Sequence, residues 1–148
     1  MIVKKIVVHC SDSEFGSASM IRDWHVKGNG WSDIGYHFVI PNGYIKKDVF
    51  IPSCDGALEV GRDIEVAGAH AVALNKESIG ICLIGRQNFT TKQFDTLYYL
   101  LNHLMMCYNL KVEDIIGHYE APQSGGKTCP NINMDVLRAS LKQRRNEI

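Results

Sequence analysis

Ile79-Gly80-Ile81-Cys82-Leu83-Ile84 runs for six residues without a charged side chain. Such a run is too short to cross a bilayer, and it lacks the alternation of a strand with one wet face. It reads as a central β-strand covered on both sides, so the chain must supply layers above and below a sheet. Ile6-Val7-Val8-His9 is a shorter run of the same kind that ends on a polar residue. Helical patterns separate the strand-like ones. Thr90 and Gln93 make a capping box, after which Phe94, Leu97, Tyr98, Leu101, Leu104, Met105 and Tyr108 recur at helical spacing. Ile21, Trp24 and His25 fall on one face of a shorter helix, stopped by Gly28-Asn29-Gly30. A last helix starts near Asn133, with Leu137 and Leu141 inward. The alternation predicts an α/β fold, and 148 residues fit one domain, 1–148.

Between these elements the punctuation is specific. Tyr36 to Ile40 reads as a strand. Asn42-Gly43 and Asp55-Gly56 read as hairpin turns, because both tolerate positive φ. Pro52 marks the stretch between them as an edge, and Ala57 to Val60 follows as another strand. Val112 to Ile116 is a short extended segment leading to Gly117-His118, and Pro122 to Pro130 is a loop.

Lys plus Arg and Asp plus Glu both number 16, so the net charge is zero and no footprint for nucleic acid or an anionic membrane is expected. Lys142, Arg144 and Arg145 read as a solvated helix end. The apolar run near Met1 is too short for a signal-peptide core, which predicts synthesis in the cytoplasm without a signal peptide and no membrane insertion. The five cysteines contain no CxxC pair and are expected to be thiols or ligands, not a disulfide framework.

His9, His118 and Cys129 are the residues whose types suit zinc, which takes imidazole nitrogen and thiolate sulfur and, in catalytic sites, leaves one position open. Two strand ends and a loop can meet at a sheet edge. By spacing alone the three form no compact motif; each has an ordinary structural reading as a satisfied histidine or an inert thiol. A metal-free cysteine hydrolase using Cys129 and His118 remains open at this point, although it leaves His9 idle.

A longer ordered set narrows the choice. His9-Cys10-Ser11, Trp24-His25, Gly35-Tyr36-His37-Phe38, Gly61-Arg62, Gly68-Ala69-His70, Asn75, Ser78-Ile79-Gly80-Ile81, His118-Tyr119-Glu120-Ala121-Pro122 and Lys127-Thr128-Cys129-Pro130 together resemble one family. It is that of the bacteriophage T7 lysozyme-like zinc N-acetylmuramoyl-L-alanine amidases, kin to the peptidoglycan recognition proteins, and the resemblance runs from about Lys4 to about Leu137. It implies a central mixed β-sheet flanked by helices with a zinc site at one edge. It implies hydrolysis of the amide between N-acetylmuramic acid and L-alanine, with one Zn2+ on His9, His118 and Cys129. Tyr36 matches the tyrosine beside the attacking water and Lys127 the lysine that assists catalysis; Trp31 and His70 are expected to face the substrate groove. Glu120 matches a motif carboxylate to which the sequence gives no role.

The implied partner is peptidoglycan or a muropeptide, taken by a monomer that acts on the wall after release or on wall fragments. No separate wall-binding domain is expected. Some relatives of this fold bind muropeptides without cutting them, and the cysteine at position 129 favours catalysis over that alternative. Two departures stand out: about a dozen extra residues between Asn42 and Asp55, read as an added hairpin, and Gly125-Gly126, which lengthen the loop before Lys127.

Overall fold

The computed structural model describes residues 1–146. In chain order the elements are β1 (Lys5–Cys10), α1 (Ala18–Asp23), β2 (Phe38–Ile40), β3 (Asn42–Lys46), β4 (Val49–Asp55), β5 (Glu59–Val60), β6 (Ser78–Leu83), α2 (Thr91–Tyr108), β7 (Ile115–Gly117) and α3 (Met134–Asn146). One five-stranded sheet has the order β5-β2-β6-β1-β7, with β3 and β4 forming a separate two-stranded sheet. β6 runs parallel to β1 and β2, β1 runs parallel to β7, and only β5 is antiparallel to its neighbour, so the sheet is mixed. The uncharged run does occupy the middle position, and all its strand residues are buried.

Alternation across β1 and β6 divides the core. Ile6 and Val8 join Ile79, Ile81 and Leu83 on one face, under Leu97, Leu101, Leu104 and Met105 of α2 and Leu137 and Leu141 of α3. On the other face Val39, Cys82 and Ile84 pack with Ala18 and Ile21, while Val7 packs with Ala71 and Leu74. Each fully buried aliphatic side chain contributes about 1.5–3 kcal/mol. His9, two residues beyond Val7, falls on this second face, which is covered by a short helix and loops rather than by the long helices.

The capping box of α2 is present: Thr90 Oγ1 accepts from the Gln93 amide and Gln93 Oε1 accepts from the Thr90 amide, both at 3.0 Å. The buried Gln93 side chain also donates from Nε2 to the carbonyls of Ile40 and Ile84, at 3.0 and 2.9 Å. The residue that starts the helix therefore also ties it to the ends of β2 and β6.

Three local expectations are corrected. Asn42-Gly43 is not the hairpin turn: it lies inside β3, and the reversal falls at Lys47 and Asp48. Gly43 does use positive φ, at 94°, but for a register shift under the Phe50 ring, where an added Cβ would come within 2.4 Å of Cε1. The first helix stays α-helical only to Asp23 and then widens into a π turn over Trp24–Gly28. That widening leaves Trp24 40% exposed while Ile21 is buried. Tyr36 and His37 precede β2 rather than belong to it.

Candidate active site

The register of the parallel pair builds the site. Val8 pairs with Gly117, so the next residues, His9 and His118, leave neighbouring strands side by side at their carboxyl ends. Their ring centroids are 4.6 Å apart. The third member comes from the loop after His118. That loop is fastened at Cys129, whose carbonyl accepts from the Tyr119 amide at 2.9 Å and whose Sγ accepts from the Cys10 amide at 3.2 Å. The ligand atoms of His9, His118 and Cys129 all lie within 4.8 Å of one another, and His9 Nδ1 is 4.0 Å from Cys129 Sγ. A tetrahedral zinc with ordinary bond lengths needs such edges at about 3.3–3.6 Å. A small inward movement of the side chains reaches that, so two imidazoles and one sulfur at the β7 edge of the sheet fit zinc.

The electrostatics suit the same purpose. Burial, and then His70, His118 and Lys127, push the His9 pKa well below its ordinary value. Burial and Lys127 lower that of His118. Both rings are therefore neutral at pH 7 and offer lone pairs. The Cys129 thiol is held up by its hydrogen bond with the Cys10 sulfhydryl and by burial, against the opposing pull of the Cys10 amide. A thiol held up in this way is a poor nucleophile without a metal to deprotonate it.

Around this centre the other expected residues take distinct places. The Tyr36 ring stands 5.0 Å from that of His9, and burial holds its hydroxyl protonated, well above the usual value. Lys127 is exposed at the rim of a depression of about 370 Å³ shared with Cys10, Asp12 and Cys129. Trp31 is 38% exposed and its ring meets that of His25 at 4.7 Å, tilted by 58°, and His25 in turn lies 5.6 Å from Tyr36. His70 does not face an open groove, contrary to expectation. It is 9% exposed, and its Nδ1 lies 2.8 Å from His9 Nε2, behind the cluster.

His37 is structural: Nδ1 accepts from the Gly80 amide and Nε2 donates to the Val66 carbonyl. His103 is exposed on α2 against Tyr99. Cys10 is buried, and its amide and sulfur both adjoin Cys129.

Two motif residues gain roles that the sequence did not disclose. Glu120 accepts from the Gly117 amide at 3.0 Å and is gripped by Arg138 of α3 at 2.8 and 2.9 Å, so it clamps the turn that carries His118. Arg62 donates to the carbonyls of Ile34 and Ala67 at 2.8 and 2.7 Å and braces the segment before Tyr36. A carboxylate three residues after a glycine was the available signal for the first; its partner Arg138 is 18 residues farther on.

The chain is similar in sequence and in fold to known proteins. The family model described as N-acetylmuramoyl-L-alanine amidase matches residues 1–132. The endolysin of Escherichia phage T7 is 36% identical over 140 residues, covering 87% of this chain and 81% of that protein. The Drosophila melanogaster peptidoglycan-recognition protein SC2 is 32% identical over 117 residues, covering 77% of this chain and 56% of that one. The solved N-acetylmuramoyl-L-alanine amidase LysC from Clostridium intestinale superposes with a TM-score of 0.77 at 30% identity, covering 96% of this chain and 87% of that one. With the family matched over nearly its whole length and the fold shared, the chain belongs to the N-acetylmuramoyl-L-alanine amidases, enzymes that hydrolyse the amide joining N-acetylmuramic acid to L-alanine in peptidoglycan.

Proposed function

We propose that the chain carries out this hydrolysis with one zinc ion held by His9, His118 and Cys129. The observation that carries the reading is the convergence of these three ligand atoms within 4.8 Å at the carboxyl ends of β1 and β7. Zinc in such a three-ligand site polarises a carbonyl and lowers the pKa of water to about 7. The protein's own groups do the rest. Tyr36, kept protonated by burial beside His9, is a hydrogen-bond donor toward the scissile carbonyl or the attacking water. Lys127 brings a positive charge to the rim, where negative charge develops on the carbonyl oxygen. Trp31, exposed over His25, offers a flat apolar surface to the muropeptide.

The rival reading, a metal-free cysteine hydrolase built on Cys129 and His118, is disfavoured by the raised Cys129 pKa and leaves His9 without a task. Among the described residues no helix is long and apolar enough to cross a membrane. We read the chain as a monomeric single-domain enzyme acting on the wall after release, or on wall fragments.

Two measurements test this together. Metal analysis of purified protein is expected to give about one zinc per chain, with activity lost on chelation and regained on adding zinc. Mass spectrometry of digested peptidoglycan is expected to show free L-alanine amino termini on intact glycan strands. Full turnover after exhaustive chelation would refute the zinc centre, and new reducing sugar ends would refute the cleavage position.

A further inference from the structure

Behind the proposed zinc ligands lies a chain of hydrogen bonds whose direction is fixed at every step by counting protons. It ends at the Leu74 carbonyl, which can only accept. Ser78 Oγ lies 2.7 Å from that oxygen and donates its one proton there. Toward His70 Nε2, at 3.4 Å, the same Oγ can then offer only lone pairs, so His70 Nε2 is the donor in this long contact. The His70 ring is buried, and its two nitrogens meet Ser78 and His9 and no carboxylate, so it holds a single proton and its Nδ1 is an acceptor. His9 Nε2, 2.8 Å away, must therefore donate to it. With its proton on Nε2, the His9 ring keeps a free lone pair on Nδ1, and Nδ1 is the atom that faces Cys129 Sγ.

We propose that His70 is a positioning residue that fixes the tautomer and orientation of His9, so that Nδ1 is presented to the metal by a relay anchored on a backbone carbonyl. This rests on the zinc reading above. The surrounding residues are arranged around this one imidazole. An added Cβ at Gly80 would come within 2.6 Å of His70 Cγ, and one at Gly68 within 2.5 Å of Cδ2, so both glycines make room for the ring. Asn75 Oδ1 accepts from the amides of His70 and Ala71, at 2.8 and 2.9 Å, and sets the backbone from which the ring projects. Gly68, His70, Asn75, Ser78 and Gly80 thus form one device within a short segment. A metal-bound histidine whose second nitrogen is held in this way loses about 10–100-fold in metal affinity when the holder is removed.

The test uses the full chain in wild-type form and as His70→Leu, His70→Asn and Ser78→Ala. Zinc affinity is measured by competition with a chromophoric chelator, and the His9 tautomer in the metal-free protein by long-range proton–nitrogen NMR. The wild type is expected to bind zinc tightly and to show His9 protonated at Nε2. His70→Leu is expected to weaken zinc binding about 10–100-fold and to mix the His9 tautomers. His70→Asn, whose Oδ1 stands near the place of Nδ1, is expected to recover most of both. Ser78→Ala leaves the ring in place, and a smaller drift of tautomer and affinity is expected even if His70→Leu fails to fold. Wild-type affinity with an unchanged tautomer in His70→Leu or Ser78→Ala would overturn the relay alone. His70→Asn no better than His70→Leu would likewise overturn it, leaving His70 a space-filler. A wild type that takes up no zinc would remove the metal reading and the relay together.

Discussion

At the residue scale the site is a matter of which atoms have lone pairs to give. His9 and His118 are neutral because burial penalises their charged forms, and the Cys10 sulfhydryl and burial raise the Cys129 thiol above its ordinary value. His118→Ala is therefore expected to bring turnover to background and zinc content well below one per chain, both read on the same preparation. Lys127 stands apart from the ligand set, exposed at the rim. Lys127→Ala is expected to lower kcat by roughly 10²–10³ while zinc content stays near wild type; lost zinc would make its role structural. Of the residues suggested by resemblance, His70 is the one whose place differs most from expectation. The sequence gives its type and neighbours, but nothing in a linear string distinguishes a histidine facing a groove from one facing the back of another histidine.

At the element scale, position comes from pairing. The turn carrying His118 would be a loose end after a three-residue strand were it not clamped by Glu120 and Arg138 to α3. Arg138 and then burial act in opposite directions on Glu120, and the net effect depresses its pKa below the ordinary carboxylate value. The sign follows from linkage: the unfolded chain binds the proton more readily, so the contribution is present above the unfolded pKa and is lost as pH falls through the folded one. Glu120→Gln is expected to melt at lower temperature than wild type at pH 7. The difference should shrink as pH falls past the ordinary carboxylate value and through the lower one that Glu120 has in the fold, where the wild type also loses this charge. Equal melting temperatures at pH 7 would show that the clamp adds nothing. The long helix is the contrasting case, because its cap, stripe and length are all local and were legible in advance. The hairpin lay between these extremes. Its existence was legible from the turn-prone residues, but its reversal point was not, because Gly43 serves a close approach to Phe50 rather than a turn.

At the scale of the whole molecule, one face of the sheet is built for stability and the other for chemistry. α2 and α3 close the first with aliphatic side chains, whereas the second buries His9, His37 and His70. Burial is the largest influence on each of these three rings and lowers each pKa. An unfolded histidine titrates near 6.5, so acidification below that value protonates the unfolded chain first. The metal-free protein is therefore expected to lose melting temperature steadily from pH 7 toward pH 5, before its carboxylates titrate. Thermal melts at constant ionic strength check this, and a flat profile over that window would contradict it.

The sequence by itself determined the layer architecture, the central strand, the capped long helix and the identity of the three metal-ligand candidates. Each of these is written in local periodicity or in an ordered set of residue types. Tertiary structure alone decided that Val8 pairs with Gly117, that the Cys129 loop folds back onto the Cys10 amide, and that His70 stands behind His9. These are long-range contacts between segments far apart in the chain. They are selected by strand register and by the requirement that every buried donor and acceptor find a partner, which only the assembled fold can satisfy.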